Sequence, residues 1–280
     1  MSVTWSSEPE PKASRIAIIG WLRILRRILP MLLVLLIGVL THSLLRVIEL
    51  PFYGQRRPFS PKITQWVCRA CLWCIGLRLR LHGDIMNHPG AVVANHSSWL
   101  DIFVLNAHQD IYFVAKSEVS GWTGIGTLAK ITGTIFIKRD RKEAQAQTKV
   151  FLDRLKLGHR LLFFPEGTSS DNQRVLPFKT TLFAPFLTEE TREAAYIQPV
   201  SVIYHAPPEL DHRFYGWWGD MSFGGHLLQL LAVKRHGSVD VVCGAPRAMV
   251  DATDRKALAR ELEDDVRAGF SRFASKDLTQ

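Results

Sequence analysis

The chain has 280 residues, 47% hydrophobic and 22% charged, which excludes a disordered polypeptide and a multi-span membrane bundle and suits one sizeable domain with an accessory segment. Its 35 Lys and Arg against 26 Asp and Glu leave a formal charge of +9, a surface suited to anionic lipid headgroups or an acidic carrier protein. No Lys/Arg-rich run or RNA-binding signature accompanies the charge, so no nucleic-acid partner is expected, and 4 cysteines in a chain this long do not indicate a disulfide framework.

In chain order, residues 1–14 are polar and Pro-containing and read as a disordered tail. The next segment reads as membrane-facing, because no Lys, Arg, Asp or Glu occurs from Ile28 to Leu45. As a helix that run covers about 27 Å, just short of the ~30 Å hydrocarbon core of a bilayer. It lacks an A-x-A-like cleavage site, so a removed signal peptide is not expected. Arg15, Arg23, Arg26 and Arg27 precede it, and Arg46, Arg56, Arg57 and Lys62 follow it. Positive charge on both flanks gives no inside–outside bias. Trp21 and the nearby arginines suit the headgroup level, and a helical hairpin dipping into one leaflet accommodates both flanks, with a single span as the close alternative. A buried core helix fits less well, since the segment is so uniformly apolar. Cys68, Cys71 and Cys74 recur every three residues in an apolar stretch. One helical stripe of small hydrophobes explains them better than a metal ladder.

From about residue 85 the pattern becomes α/β. The runs 91–95, 111–115, 133–138, 160–165, 196–204 and 239–244 are strand-like, several of them continuously apolar, as expected of strands buried on both faces. Between them 141–158 reads as a helix stopped by Gly158, and 251–274 as an amphipathic helix with cap-type residues at its start. The expected fold is an α/β domain with a mixed, mostly parallel sheet flanked by helices over 63–280, behind a membrane-anchoring helical segment over 1–62.

Two strand ends carry chemistry. Asn95-His96-Ser97-Ser98-Trp99-Leu100-Asp101 follows the first strand, and strand ends are where α/β sheets place their sites. A histidine accepts a proton near neutral pH, and a carboxylate orients and stabilises the resulting imidazolium. Five residues of regular helix turn through about 500°, so the pair can meet only if His96 lies in the turn before a helix that carries Asp101. Phe164-Pro165-Glu166-Gly167-Thr168-Ser169-Ser170 follows another apolar strand, with Pro and Gly fixing a tight turn.

Together these motifs resemble the glycerolphosphate acyltransferase superfamily, which includes the 1-acylglycerol-3-phosphate acyltransferases, over roughly residues 65–245. Asn95, His96 and Asp101 match its NHxxxxD motif; Gly133, Ile135, Phe136, Ile137 and Arg139 its second motif; Phe164 to Thr168 its FPEGT motif; and Ile197-Gln198-Pro199-Val200 its fourth. The resemblance implies that His96 deprotonates an acceptor hydroxyl, that Asp101 orients His96, and that Glu166 and Gly167 help hold the acceptor. Asn95, Lys116, Arg139, Thr168, Ser169 and Lys179 complete the expected acceptor site. The family commonly follows FPEGT with an arginine associated with the acceptor phosphate, where a bidentate guanidinium fits well. Here the position is Ser169, and the usual F-K-x-G is Phe178-Lys179-Thr180-Thr181. That departure looks like the branch that acylates lyso-ornithine lipids, whose headgroup is an amino acid without phosphate, although Arg174, Lys179 or Lys116 can still supply charge for lysophosphatidic acid. The implied partners are acyl carrier protein or acyl-CoA as donor, a lysolipid acceptor and a membrane surface, with the enzyme at the inner membrane facing the cytoplasm. Thiols are good leaving groups, so neither metal nor cofactor is expected.

Rival chemistries lack their signatures. There is no G-x-S-x-G for a serine hydrolase and no H-E-x-x-H for a metallohydrolase. Gly124 to Ala129 matches G-x-G-x-x-A but follows no strand-like run. An inactive lipid-binding protein of the same fold is the rival from another class, and the intact His96 and Asp101 argue against it.

Overall fold

The computed structural model describes residues 4–11, 14–138, 144–193, 195–252 and 254–274. The helices are α1 (Ile18–Tyr53), α2 (Ser60–Ile75), α3 (Asp101–Asn106), α4 (Ile125–Thr132), α5 (Ala144–Lys156), α6 (Glu189–Arg192), α7 (Phe223–Ala232) and α8 (Arg255–Ala274). The strands are β1 (Arg78–His82), β2 (Gly90–Ala94), β3 (Ile111–Lys116), β4 (Ile135–Ile137), β5 (Arg160–Phe163), β6 (Tyr196–His205), β7 (Ser238–Cys243) and β8 (Arg247–Ala248).

They form one mixed sheet in the order β1-β7-β6-β2-β5-β3-β4, with β8 beside β6. The run from β6 to β4 is parallel, and β7 and β8 pair antiparallel with β6. Every residue of β2 is buried, as are the eight inner residues of β6, which is why β2 reads as an unbroken apolar run and β6 as a mostly apolar one. The buried Gln198 and Ser201 of β6 are satisfied: the Gln198 amide donates to the carbonyls of Asp84 and Gly244 at 2.8 Å each and accepts the N–H of Met86 at 3.0 Å, and the Ser201 hydroxyl donates to the Val266 carbonyl at 2.8 Å. All six strand-like runs are strands. The sequence reading missed β1 and β8. β1 alternates arginine with leucine at a sheet edge, and its pairing with β7 is far away in sequence; β8 is only two residues long. One apolar layer packs α1, α2, α3 and α7 on one face of the sheet, and α5 and α8 cover the other. Cys68 and Cys71 pack in the first layer, and burial pushes the Cys71 thiol up to about 12.

α1 is one unbroken helix, so the segment does not itself fold into a hairpin. The return is made by α2, which packs along α1 after a short connection. Gly20, Ile24, Arg27, Met31, Gly38, His42 and Glu49 form its buried stripe at helical spacing. A Cβ at Gly38 would lie 2.2 Å from Cγ2 of Val67, so glycine is what lets the two helices approach there. The other side exposes Leu25, Leu29, Leu32, Leu36, Leu40 and Leu44. Only 17% of its most apolar window is buried, the opposite of what a core helix shows, and the helix is long and apolar enough to cross a bilayer.

The arginines beside this run do not all reach for headgroups. Arg27 is buried and donates to the carbonyls of Leu231 and Val233 at 2.7 Å each, and Arg23 donates to that of Ala232 at 3.3 Å. The last carbonyls of α7 have no partner within their own helix, and these guanidiniums supply donors and favourable charge there. Arg46 pairs with Glu49 at 3.0 Å, Arg57 donates to the Ile131 carbonyl at 2.9 Å, and Lys62 pairs with Asp110 at 2.8 Å. The expected boundary at residue 62 falls in the first turn of α2.

Candidate active site

The parallel strands bring their C-terminal ends to one edge, and the two motifs meet there. β2 ends at Ala94, and the chain then runs through Asn95–Leu100 into α3, whose first residue is Asp101. His96 is therefore in the turn and Asp101 on the helix, the one arrangement in which five residues of spacing let them touch. The Nδ1 of His96 lies 2.7 Å from Oδ2 of Asp101. That oxygen also accepts the N–H groups of Ser97 at 2.9 Å and Ser98 at 3.1 Å, and Oδ1 accepts the hydroxyl of Tyr204 at 2.6 Å. The carboxylate is fully buried and held at both oxygens, while the imidazole keeps 20% of its surface exposed. Its ring stacks on Phe164, with centroids 4.0 Å apart and planes 11° from parallel. With Nδ1 turned to the carboxylate, Nε2 is the atom left to take a proton from an acceptor.

Glu166, at the end of the neighbouring β5, is buried and accepts the backbone N–H of His96 through Oε1 at 3.2 Å. Burial pushes its carboxyl well above the usual range, opposed by the N–H groups of His96 and Leu176. The group thus ties the β5 loop to the histidine turn. Gly167 makes that turn tight, with φ of 70° and its N–H on the Phe164 carbonyl at 3.0 Å. The same loop returns to His96, whose carbonyl accepts the Ser170 N–H at 2.9 Å.

Other expected acceptor residues are placed differently. Asn95 is fully buried and spends its amide on Val202, donating to the carbonyl at 2.9 Å and accepting the N–H at 2.7 Å, so it extends the ladder of β6 where β2 ends. Ser169 is 7% exposed, and its hydroxyl donates to the Trp217 carbonyl. An arginine at 169 would have to displace that contact. Thr168 accepts the backbone N–H of Trp5 at 3.1 Å. Lys116 closes β3, one strand beyond β5, and Lys179 follows the β5 loop with its N–H on the Pro165 carbonyl at 2.9 Å. Arg139 lies outside the described residues.

Sequence reasoning missed three features. Tyr204 reads as ordinary core in an apolar strand, and nothing local marks it as a partner of Asp101. Phe164 was read as part of a motif, but only the fold turns its ring onto His96. Residues 4–11, expected to be disordered, strap the loop that follows β5. Glu8 pairs with Arg174 at 3.1 Å and accepts the Trp218 indole N–H on its carbonyl at 3.1 Å, while the Trp5 ring lies 5.3 Å below the Arg174 guanidinium. A composition poor in apolar residues hid specific aromatic and ionic contacts that only the folded loops offer.

The chain is similar to known proteins in both sequence and fold. The acyltransferase family matches residues 78–203. The lyso-ornithine lipid O-acyltransferase of Rhodobacter capsulatus is 49% identical over 95% of this chain and 96% of its own length. The 1-acyl-sn-glycerol-3-phosphate acyltransferase of Neisseria meningitidis serogroup B is 30% identical over 71% of this chain and 77% of its own. The crystal structure of the 1-acyl-sn-glycerophosphate (LPA) acyltransferase PlsC from Thermotoga maritima superposes with a TM-score of 0.65 at 19% identity, over 92% of this chain and 98% of that one, which shows the shared fold.

Proposed function

Since the chain belongs to the acyltransferase family, and so transfers an acyl group from a donor to a lysolipid acceptor, we propose that it acylates the free hydroxyl of lyso-ornithine lipid, with His96 as general base. The donor is a fatty acyl thioester of phosphopantetheine, on acyl carrier protein or on coenzyme A. The acceptor hydroxyl gives its proton to Nε2 of His96 as its oxygen attacks the thioester carbonyl. The tetrahedral oxyanion collapses, the carbon–sulfur bond breaks, and the departing thiolate takes the proton back from the imidazolium. The observation that supports this role is the bond from His96 Nδ1 to a buried, four-times hydrogen-bonded Asp101.

The acceptor assignment rests on near full-length similarity to the Rhodobacter capsulatus enzyme and on Ser169 at the position where a phosphate-associated arginine is usual. One charge-assisted contact is worth about 1.5–3 kcal/mol. The purified enzyme is expected to show a kcat/KM about 10-fold higher for lyso-ornithine lipid than for lysophosphatidic acid, measured in mixed micelles of equal acceptor fraction. A preference for lysophosphatidic acid would make it a phosphatidic-acid-forming enzyme.

The exposed leucine face of α1 docks the enzyme on the inner membrane, with the active site toward the cytoplasm where the donors are made. Deleting α1 would also strip Arg27 from α7, so the cleaner test leaves the helix in place. Leu32→Glu with Leu36→Glu, at positions 52% and 57% exposed, should lower activity on vesicle-borne acceptor at least about threefold more than on a soluble short-chain analogue. Equal losses on both substrates would count against docking through this face.

A further inference from the structure

We propose that Tyr204 is a positioning residue of the active site, holding Asp101 so that His96 keeps its proton on Nδ1 and its Nε2 open to the acceptor. The inference rests on His96 as the base. Three of the four hydrogen bonds to Asp101 converge on Oδ2, from His96 and from the N–H groups of Ser97 and Ser98. Those three come from the same short turn as the carboxylate itself. The fourth, from the Tyr204 hydroxyl to Oδ1 at 2.6 Å, comes from β6, 103 residues away in sequence. Without it a fully buried carboxylate would have one oxygen with no donor, which favours rotation of the group or uptake of a proton. Either change weakens the contact that fixes the imidazole.

Tyr204 is built for this role. It is 3% exposed in a strand whose other inner positions are mostly apolar, and phenylalanine would serve for packing alone. Its backbone is fixed by the Asn172 amide, which donates to its carbonyl at 2.8 Å and accepts its N–H at 3.1 Å. Its ring stacks on Tyr215 with centroids 5.4 Å apart, and the Tyr215 hydroxyl in turn accepts the Gly237 N–H at 2.9 Å. The phenol is therefore aimed from a rigid support, and burial together with the neighbouring Asp101 keeps it protonated as a donor.

The test is Tyr204→Phe in the full-length enzyme. A fall in kcat of about 10-fold is expected, with KM for donor and acceptor within about twofold of the parent. The low-field proton resonance of the His96–Asp101 hydrogen bond, identified by its absence in His96→Ala, should shift or broaden. Should Tyr204→Phe fail to fold, 3-fluorotyrosine at position 204 keeps the shape and the hydroxyl while making it a stronger donor, and the same resonance should move. An unchanged kcat with an unchanged resonance, or an unmoved resonance in the fluorotyrosine enzyme, would overturn the proposal and leave Tyr204 as packing. Those results are separable from failure of the base assignment, which would appear as activity persisting in His96→Ala.

Discussion

His96→Ala is expected to lower kcat by about 100-fold or more on any lysolipid acceptor, the range lost when a positioned general base is removed. The imidazole is the group at this strand edge that combines a partly open nitrogen with a buried carboxylate behind it. Binding should suffer less than turnover, because the ring contributes to proton transfer and not to headgroup charge. The variant also separates direct transfer from a route through an acyl-enzyme. Burial pushes the thiols up, Cys71 to about 12 and Cys243 to about 11, so neither supplies a thiolate at neutral pH. Transfer of a labelled acyl chain, followed with purified enzyme in detergent, gives the rate. Mass spectrometry of the intact protein checks for a covalent intermediate. Near-normal turnover in the alanine variant, or an acyl-cysteine adduct that forms and decays at the catalytic rate, would sink the direct mechanism.

Asp101→Asn should cost roughly 10- to 150-fold in kcat, the worth of one charge-assisted hydrogen bond. The surrounding donors decide how the asparagine sits. With its oxygen toward the N–H groups of Ser97 and Ser98, it still accepts the His96 Nδ1 proton, and its NH2 group meets the Tyr204 hydroxyl, which can turn to accept. The opposite flip would set the NH2 group against two backbone donors and the imidazole at once. The turn therefore preserves the histidine tautomer, and what the variant loses is the negative charge facing the imidazolium. Where an asparagine forces the wrong tautomer the loss is nearer 10⁴-fold. Steady-state kcat on both acceptors measures the difference. A loss below about threefold would remove Asp101 from the proton-transfer unit, and a loss near 10⁴-fold would show that the flip goes the other way.

Much of the fold was legible in the sequence because it is written in local patterns. The central strands are buried on both faces, so β2, β5 and β6 appear as mostly apolar runs, and the charge-free stretch from Ile28 to Leu45 marks α1 without any tertiary information. The motifs containing His96 with Asp101 and Glu166 with Gly167 were visible because each lies within a few residues of a strand end. Contacts between distant segments were not legible. Nothing near Tyr204 signals that its hydroxyl meets Asp101, nothing near Arg27 that it caps α7, and nothing near Trp5 that it crosses the loop carrying Thr168. Ser169 shows the limit most clearly: the sequence marks a missing charge, whereas the fold decides that the side chain at that position turns to the Trp217 carbonyl. Residue identity and spacing fix what a group can donate, accept or bury, and strand order and helix packing alone determine which partner stands within 3 Å of it.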